Sequence, residues 1–307
     1  MHPVLFSVRV WGGNWEVHAF GVMVAVGCAV AIGFAMREAR RRGDDVDAMR
    51  DLCFWALVAA LVGARAAFVI MGGRAGWDDC LDAAANGGWR AAVSACTRPA
   101  RFWEGGLVFY GGLAAGAAAA MGYARRRGLK WWRVADVLAP SVALGHVFGR
   151  LGCFLAGCCF GKGTGAAIGM RFPEGSVAFL ELSSRGALGA NAVMTGRLHP
   201  TQLYEAVGEL LIFGVLVWLG RRRRRDGDLA LIYLAAYSVL RFGIEVFRGD
   251  VVRSFVWEAG TPGFNRWMGL SEGAASFLST GQAMSLGVIA VVGVIAVVRR
   301  RVRADVD

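Results

Sequence analysis

Charged residues, proline and internal repeats are scarce in this sequence, and each shortage removes a class of protein. Only 19% of the 307 residues are charged, whereas an average soluble domain carries about 25%, so an ordinary soluble enzyme is disfavoured. The 6 prolines and the 56% of hydrophobic residues exclude a disordered chain or a proline-rich linker. No internal repeat is visible in the sequence, which disfavours the transporters that are built from inverted halves.

Long apolar runs are what the sequence has in abundance. A bilayer core about 30 Å thick is crossed by about 20 mostly apolar residues in a helix. Three runs of about this length contain no charged residue, and four more contain a few ionisable residues. The sequence therefore predicts an all-α, polytopic integral membrane protein with seven transmembrane helices, at residues 19–36, 52–71, 105–123, 134–157, 202–220, 229–247 and 282–298.

Lysine and arginine indicate the orientation, because cytoplasmic loops are enriched in both. Residues 37–50, 124–133, 220–227 and the tail from Arg299 hold 19 of the 34 Lys and Arg, and the longer segments on the other side hold 12. We therefore predict the N-terminus outside, the C-terminus inside, and two long periplasmic loops at residues 72–104 and 158–200. One transmembrane domain is expected to fill residues 1–307. The net charge of +11 is a topology signal, so nucleic acid is not expected as a partner.

Several arginines lie inside the apolar runs, where ionisable residues are costly and are functional candidates. Arg241, Glu245 and Arg248 are spaced i, i+4, i+7 and share one helix face. Arg150 and Arg65 have no acid at helical spacing. A surplus of buried arginine indicates an anionic ligand at membrane depth, because the guanidinium binds phosphate bidentately and stays charged when desolvated. A phospholipid headgroup is the expected source of that phosphate.

The seven cysteines leave more than one interpretation open. Four of them lie on the predicted periplasmic side, where disulfides form: Cys80, Cys96, Cys158 and Cys159. A Cys80–Cys96 disulfide is possible, but the sequence does not determine the pairing. No CxxC pair with a histidine partner exists, so no metal site is expected. A thiol-redox role for Cys153 with Cys158 and Cys159 is disfavoured, because adjacent cysteines rarely form an unstrained disulfide.

Three short segments carry a specific family resemblance. They are Gly-Arg-Leu-Gly-Cys-Phe at 149–154, His-Pro-Thr-Gln-Leu-Tyr-Glu at 199–205 and Arg-Phe-Gly-Ile-Glu-Val-Phe-Arg at 241–248. They resemble the signatures GRxGNF, HPxQLYE and RxxxExxR of the phosphatidylglycerol–prolipoprotein diacylglyceryl transferases. Weaker matches, in family order, extend the resemblance over nearly the whole chain: residues 2–6, 18–21, 105–107, 111–113 and 281–285.

The resemblance implies an enzyme that transfers the diacylglyceryl group of phosphatidylglycerol to the lipobox cysteine of prolipoproteins. A thioether forms and glycerol 1-phosphate is released. The family's location is the bacterial inner membrane, with a multi-pass chain, an active site towards the periplasmic leaflet and no cofactor. The implied partners are phosphatidylglycerol and prolipoprotein signal peptides with a lipobox cysteine. The alternative is a phospholipid-binding membrane protein of the same family that has lost or changed the transferase activity.

The resemblance also suggests the site residues. Arg150 and Arg241 are expected to bind the phosphate and to stabilise the leaving group, with Arg248 in support. Glu245 is expected to orient Arg241 or to bind the glycerol hydroxyls. Three residues compete for the role of base: His18, Tyr110 and His199. Five more residues are expected to contact the lipid: Gly149, Gly152, Cys153, Gly161 and Tyr204.

This chain departs from the family pattern at several polar positions. Cys153 stands where the signature has Asn, Cys158 stands where a later acidic residue is usual, and Tyr110 stands where the family commonly has His. Phe20 replaces a Tyr of the first helix. Because the arginines are kept while several polar residues differ, the sequence favours lipid binding more strongly than it favours the reaction.

Overall fold

The chain is mostly helical. The computed structural model describes residues 4–10, 13–71, 80–82, 85–86, 88–97, 106, 108–189, 191–222, 225–249, 255–259, 262–267 and 277–304. Within these residues the helices are α1 (Ala19–Arg42), α2 (Val46–Met71), α3 (Gly88–Thr97), α4 (Phe109–Arg126), α5 (Trp131–Ala156), α6 (Val177–Ser184), α7 (Thr201–Gly220), α8 (Asp228–Glu245), α9 (Pro262–Trp267) and α10 (Thr280–Ala304).

A helix lies at each of the seven predicted apolar runs, namely α1, α2, α4, α5, α7, α8 and α10. Five of these, in the described part of the chain, are long and apolar enough to cross a membrane: α1, α2, α5, α7 and the residues Thr280–Arg299 of α10. Large apolar side chains such as Val62, Ile70 and Val294 are exposed on them, as lipid-facing residues are. This is the architecture of a polytopic helical membrane protein. The prediction that α4 and α8 also span the membrane stays a prediction.

Four short strands were not predicted from the sequence. β1 (Val4–Val10) pairs antiparallel with β2 (Gly13–His18), and β3 (Phe255–Ala259) pairs antiparallel with β4 (Phe277–Ser279). The sequence signal for the first hairpin is the Gly12–Gly13 pair between two valine- and aromatic-containing segments. Each strand of this hairpin is far shorter than a membrane span, so the pattern of long apolar runs does not predict it.

The chain divides into two compact units, of which one is Met36–Val134. In this unit α2 packs closely against α4. A Cβ placed on Gly112 would lie 2.9 Å from the Ala60 carbonyl oxygen, and one on Gly116 would lie 3.2 Å from that of Ala56. Gly112 and Gly116 have the GxxxG spacing that allows close helix packing, and here they pack against α2. The unit also contains the Cys80–Cys96 disulfide, so the structure supplies the pairing that the sequence left open.

The other unit comprises Met1–Ala35 and Ala135–Asp307. Its core joins α5, α7 and α8 through Ala139, Ala143, Leu216, Leu229 and Tyr233. The buried carboxylate of Asp136 accepts hydrogen bonds from the backbone N–H groups of Gly227 (2.8 Å) and Ala230 (3.0 Å). Asp136 is one of the charges found in an apolar run, and here it caps the start of α8.

The long segment between α5 and α7 is folded. It contains α6 and isolated antiparallel bridges that pair Gly163 and Met170 with Leu198, and Pro173 with Met194. Phe160, Phe172, Ala178 and Leu198 form a small buried core of its own. The sequence predicted a long loop here. Its packing holds residues 158–163 against the start of α7.

Candidate active site

Backbone hydrogen bonds bring the three family motifs together around residues 158–163, which we call the strap. The Gly161 N–H donates to the His199 carbonyl (2.9 Å), and the His199 N–H donates to the Lys162 carbonyl (3.0 Å). On the other side, the Lys162 N–H donates to the Phe247 carbonyl (2.7 Å). A Cβ on Gly161 would lie 2.6 Å from the Cβ of His199, so only glycine permits this approach. The strap thus links the end of α5, the start of α7 and the end of α8.

Arg150 lies at the centre of a buried polar network. Its Nη2 is 2.8 Å from Glu205 Oε1, and its Nε donates to His146 Nε2 at 3.2 Å. His146 Nδ1 is 2.6 Å from Glu209 Oε1, and the Tyr237 hydroxyl donates to Glu205 at 3.3 Å. Arg150 has no acid at helical spacing on its own helix, and its acid, Glu205, comes from α7.

Arg241 pairs with Glu245, one turn further along α8. Arg241 Nη2 is 2.5 Å from Glu245 Oε2, and the Ser279 hydroxyl donates to Glu245 Oε1 at 3.0 Å. Gln282 supports Ser279 by accepting from its N–H at 3.1 Å. Arg241 Nη1 is buried and makes no hydrogen bond within the described residues. The guanidinium therefore keeps a donor available, which a buried site normally satisfies.

His199 is buried beside Tyr204. Its Nδ1 lies 3.1 Å from the Tyr204 hydroxyl, and its ring lies 5.0 Å from that of Phe247. Burial lowers the pKa of His199 below its ordinary value, and the positive charge of Lys162 lowers that pKa further. Nε2 is buried without a hydrogen-bond partner in the described part of the chain. The imidazole is therefore neutral near pH 7 and has one nitrogen available to a ligand.

Three thiols gather at the start of the strap. The Sγ atoms of Cys153, Cys158 and Cys159 all lie within 4.8 Å of one another. Hydrogen bonds with Cys153 and Cys158, followed by the positive charges of Arg248 and Arg150, lower the pKa of the Cys159 thiol. This cluster can hold negative charge. Two of its members, Cys153 and Cys158, stand where the family pattern has Asn and an acidic residue.

Three more of the predicted residues are Arg248, Gly149 and Gly152. Arg248 forms an antiparallel bridge with Gly161 and so lies against the strap. Gly149 has open space where a Cβ would stand, whereas Gly152 faces Phe20 and Met23 of α1 at 3.2 Å. Gly152 therefore serves close helix packing in this structure.

The two other candidates for the base are on β2 and α4. His18 is the exposed last residue of β2, and Tyr110 is 62% exposed on α4 in the other unit. Arg65, also in that unit, donates to the Gly106 carbonyl at 3.2 Å and stacks on Phe68. That contact gives Arg65 a structural role which the sequence did not predict.

Sequence reasoning passed over four members of the network: His146, Glu205, Glu209 and Tyr237. A signal existed for three of them. Glu205 and Glu209 are two acids spaced i, i+4 in an apolar run, and His146 precedes Arg150 by one helical turn. Tyr237 carries no such signal, because a tyrosine in an apolar helix is most simply a packing residue.

The fold and this site define a class: a helical membrane protein that buries arginines and acids around a folded strap. The chain belongs to the prolipoprotein diacylglyceryl transferase family, whose profile matches residues 3–299. It is 33% identical over 239 residues to the phosphatidylglycerol–prolipoprotein diacylglyceryl transferase of Geobacillus kaustophilus, covering 78% of this chain and 79% of that protein. The enzyme of the same name from Oceanobacillus iheyensis is 31% identical over 243 residues, covering 79% of this chain and 77% of that protein. The resemblance drawn from the motifs is confirmed.

Proposed function

We propose that this protein transfers the diacylglyceryl group of phosphatidylglycerol to the lipobox cysteine of prolipoproteins. One observation carries the proposal: the strap joins the three family motifs, so that Arg150, Arg241 and His199 belong to one hydrogen-bonded assembly. The relatives that match over about four fifths of the chain carry the name of this activity. The alternative, a phospholipid-binding protein without the reaction, is supported by no separate observation.

The reaction is a displacement at a glyceryl carbon. The substrate thiolate attacks the carbon, a carbon–sulfur bond forms, and the carbon–oxygen bond to phosphate breaks with its electron pair leaving on the phosphate oxygen. Charge therefore grows on the phosphate, where preorganised donors act most strongly. Arg150 and Arg241 supply such donors, and the unsatisfied Arg241 Nη1 is the clearest of them. Gly161 of the strap and Arg248, which forms an antiparallel bridge with it, complete the phosphate contacts.

The site binds phosphate through the hydrogen-bond donors of its arginines rather than through an excess of positive charge. Glu205 and Glu245 are buried and pair with Arg150 and Arg241, so these acids balance the positive charge of the two arginines when no lipid is bound. This balance keeps the arginines in a buried position without an unpaired charge. Binding of phosphatidylglycerol then adds one anion to donors that are already oriented.

The base remains a choice among three residues. His199 is neutral and has a free Nε2 in the described site, so we favour it for taking the thiol proton, with Tyr204 as its partner. His18 and Tyr110 are the other candidates that the family pattern suggests. Gly149 and Cys153 are proposed to contact the lipid, since both lie beside Arg150 on the last turns of α5.

We further propose the membrane arrangement of the family. All seven helices span the bacterial inner membrane as one transmembrane domain, the N-terminus is outside, and the site opens to the periplasmic leaflet. The support is the clustering of Lys and Arg in alternate loops. An exported prolipoprotein and phosphatidylglycerol both reach a site on that side.

A reconstituted assay tests the function. Purified protein in phosphatidylglycerol vesicles is incubated with a synthetic lipobox peptide, and glycerol phosphate release is measured together with the mass of the peptide. We expect both products in equal amounts, and neither with a peptide whose lipobox cysteine is serine. Binding of phosphatidylglycerol without either product would establish the alternative.

A further inference from the structure

Apart from the lipid contact proposed for Cys153, the cluster of Cys153, Cys158 and Cys159 has no role in the reaction as described so far. All three are free thiols, partly buried, with their Sγ atoms within 4.8 Å of one another. The two other free cysteines of the described residues, Cys28 and Cys53, belong to no such group. Three thiols rarely come together by packing alone, because a thiol packs as a small apolar group and needs no thiol neighbour.

The backbone around the cluster is held in place. Gly157 ends α5 with a φ of +75°, and Cys159 itself has a φ of +58°, which turns the chain back towards Cys153. The Thr201 hydroxyl donates to the Cys159 carbonyl and the Gln202 amide donates to the Cys158 carbonyl, both at 2.7 Å. The turn is thus fixed from the start of α7, and the three sulfurs are presented together on a rigid frame.

The spacing of the sulfurs suits one metal ion. A Zn–S bond is about 2.3 Å long, so two thiolates on one zinc ion lie about 3.8 Å apart in a tetrahedron and at most about 4.6 Å apart. Sulfurs within 4.8 Å of one another need to close by about 1 Å at most to share one tetrahedral ion. Three thiolates and Zn²⁺ carry one net negative charge, and Arg150 and Arg248 lie close enough to interact with Cys159 and to balance it.

We propose that Cys153, Cys158 and Cys159 bind Zn²⁺ through three thiolates and leave its fourth coordination position open. Three protein ligands with an open position are the arrangement of a catalytic rather than a structural zinc site. Thiolates select soft or borderline cations such as zinc over magnesium or calcium. This site lies beside Arg150, on the same turn of chain that bears the strap.

The open position gives the metal a function that rests on the proposed transfer reaction. The lipobox sulfur occupies the fourth position and gives its proton to the neutral His199 or to water, because a thiol that coordinates zinc is deprotonated. The bound thiolate attacks the glyceryl carbon, and the phosphate leaves with the electron pair of the broken carbon–oxygen bond. The thioether product is uncharged and is released from the ion. Zinc would then promote formation of the substrate thiolate, so that a strong base is not needed. This chain has Tyr110 where the family usually has a histidine.

Metal binding is tested without lipid or turnover. The full chain, purified in detergent, is titrated with Zn²⁺ against a chromophoric chelator, and with Co²⁺ to observe thiolate-to-metal charge-transfer absorption. We expect one ion per chain. Cys153→Ser, Cys158→Ser and Cys159→Ser should each weaken binding more than about 100-fold, since even the loss of an outer-shell partner costs 10–100-fold. The matched controls Cys28→Ser and Cys53→Ser should bind the ion as the unmodified chain does.

The open position has its own test. A lipobox peptide should change the Co²⁺ spectrum, and a peptide with serine in place of the lipobox cysteine should not. Absence of metal binding, equal loss in the control variants, or a disulfide among the three cysteines would overturn the site. Transfer that persists after complete removal of the metal would overturn its role in the reaction while leaving the proposed function intact. Metal binding without any transfer would overturn the proposed function alone.

Discussion

Arg150 and Arg241 are held in different ways, and the difference decides how each can be tested. Arg150 contacts His146 and Glu205, which come from its own helix and from α7, whereas Arg241 contacts Glu245 one turn away on α8. Removing Arg150 leaves the buried Glu205 without its partner, which is expected to cost about 3–5 kcal/mol of stability. Activity and folding must therefore be separated when these residues are replaced.

We predict that Arg150→Ala and Arg241→Ala each lower transfer at least about 100-fold, the usual cost of removing a preorganised donor to a developing anion. Lysine should recover little, because one ammonium cannot replace a planar fork of donors. The double variant Arg150→Met with Glu205→Gln should restore stability but not activity. Arg185→Ala, which removes a surface pair with Glu181, is the control. Near-normal turnover in either alanine variant would remove the phosphate-binding role.

The lowered pKa of His199 gives a pH prediction. The folded chain binds this proton less readily than the unfolded chain, so the stability from a neutral His199 is complete above about pH 6.5 and is lost as the pH falls below that value. Transfer should likewise stay level from about pH 8 down to 6.5 and decline at lower pH. Thermal unfolding and initial rates across this range provide the measurement. His199→Gln should flatten the stability profile, and an unchanged profile would contradict the assignment.

Tyr110 is predicted to act as a hydrogen-bond donor to phosphate or sulfur. A phenol with a pKa near 10 is a poor base in its neutral form. Tyr110→Phe should therefore lower the transfer rate by roughly 10- to 100-fold, the size of one lost charge-assisted hydrogen bond. Tyr110→His should retain activity. A Tyr110→Phe variant that binds phosphatidylglycerol normally but has no activity would instead make Tyr110 a proton-transfer residue.

At the scale of elements, the strap is what connects the motifs. Its position depends on Gly161, where a Cβ would collide with His199 and with the Phe247 carbonyl, 2.7 Å away. Two residues further on, Gly163 has open space where a Cβ would stand. The pair therefore allows a matched comparison of two glycine-to-alanine changes within one short segment.

We predict that Gly161→Ala displaces the strap and costs about 1–3 kcal/mol, as overpacking usually does, with most of the transfer activity lost. Gly163→Ala should change neither quantity appreciably. Differential scanning fluorimetry and the glycerol phosphate assay measure the two effects. Equal behaviour of the two variants would show that the close approach of strap and α7 is not needed.

At the scale of the whole molecule, the membrane arrangement rests on charge. We predict that reporter fusions after Arg42, Arg127 and Arg225 report a cytoplasmic position. Fusions near Asn86, Arg185 and Thr261 should report a periplasmic position, because the dense basic segments are retained inside. A cytoplasmic result at Arg185 would place the folded segment before α7 on the wrong side for an exported prolipoprotein.

The membrane character, the small-residue packing face of α4 and the family were all determined by the sequence. These properties depend on local patterns: apolar runs of fixed length, a GxxxG spacing and short motifs. An apolar run or a small-residue spacing predicts the same local structure whatever the rest of the chain is, because helical periodicity alone determines which residues share a face.

Only the tertiary structure decided which groups meet. Glu205 pairs with Arg150, Asp136 caps α8, and Cys158 and Cys159 turn back to Cys153. Each contact depends on how one helix is rotated against another or on a turn with positive φ, and no local pattern specifies either. The sequence therefore suggested unpaired arginines and no metal site, whereas the fold supplies the arginines with buried acids and assembles three thiols.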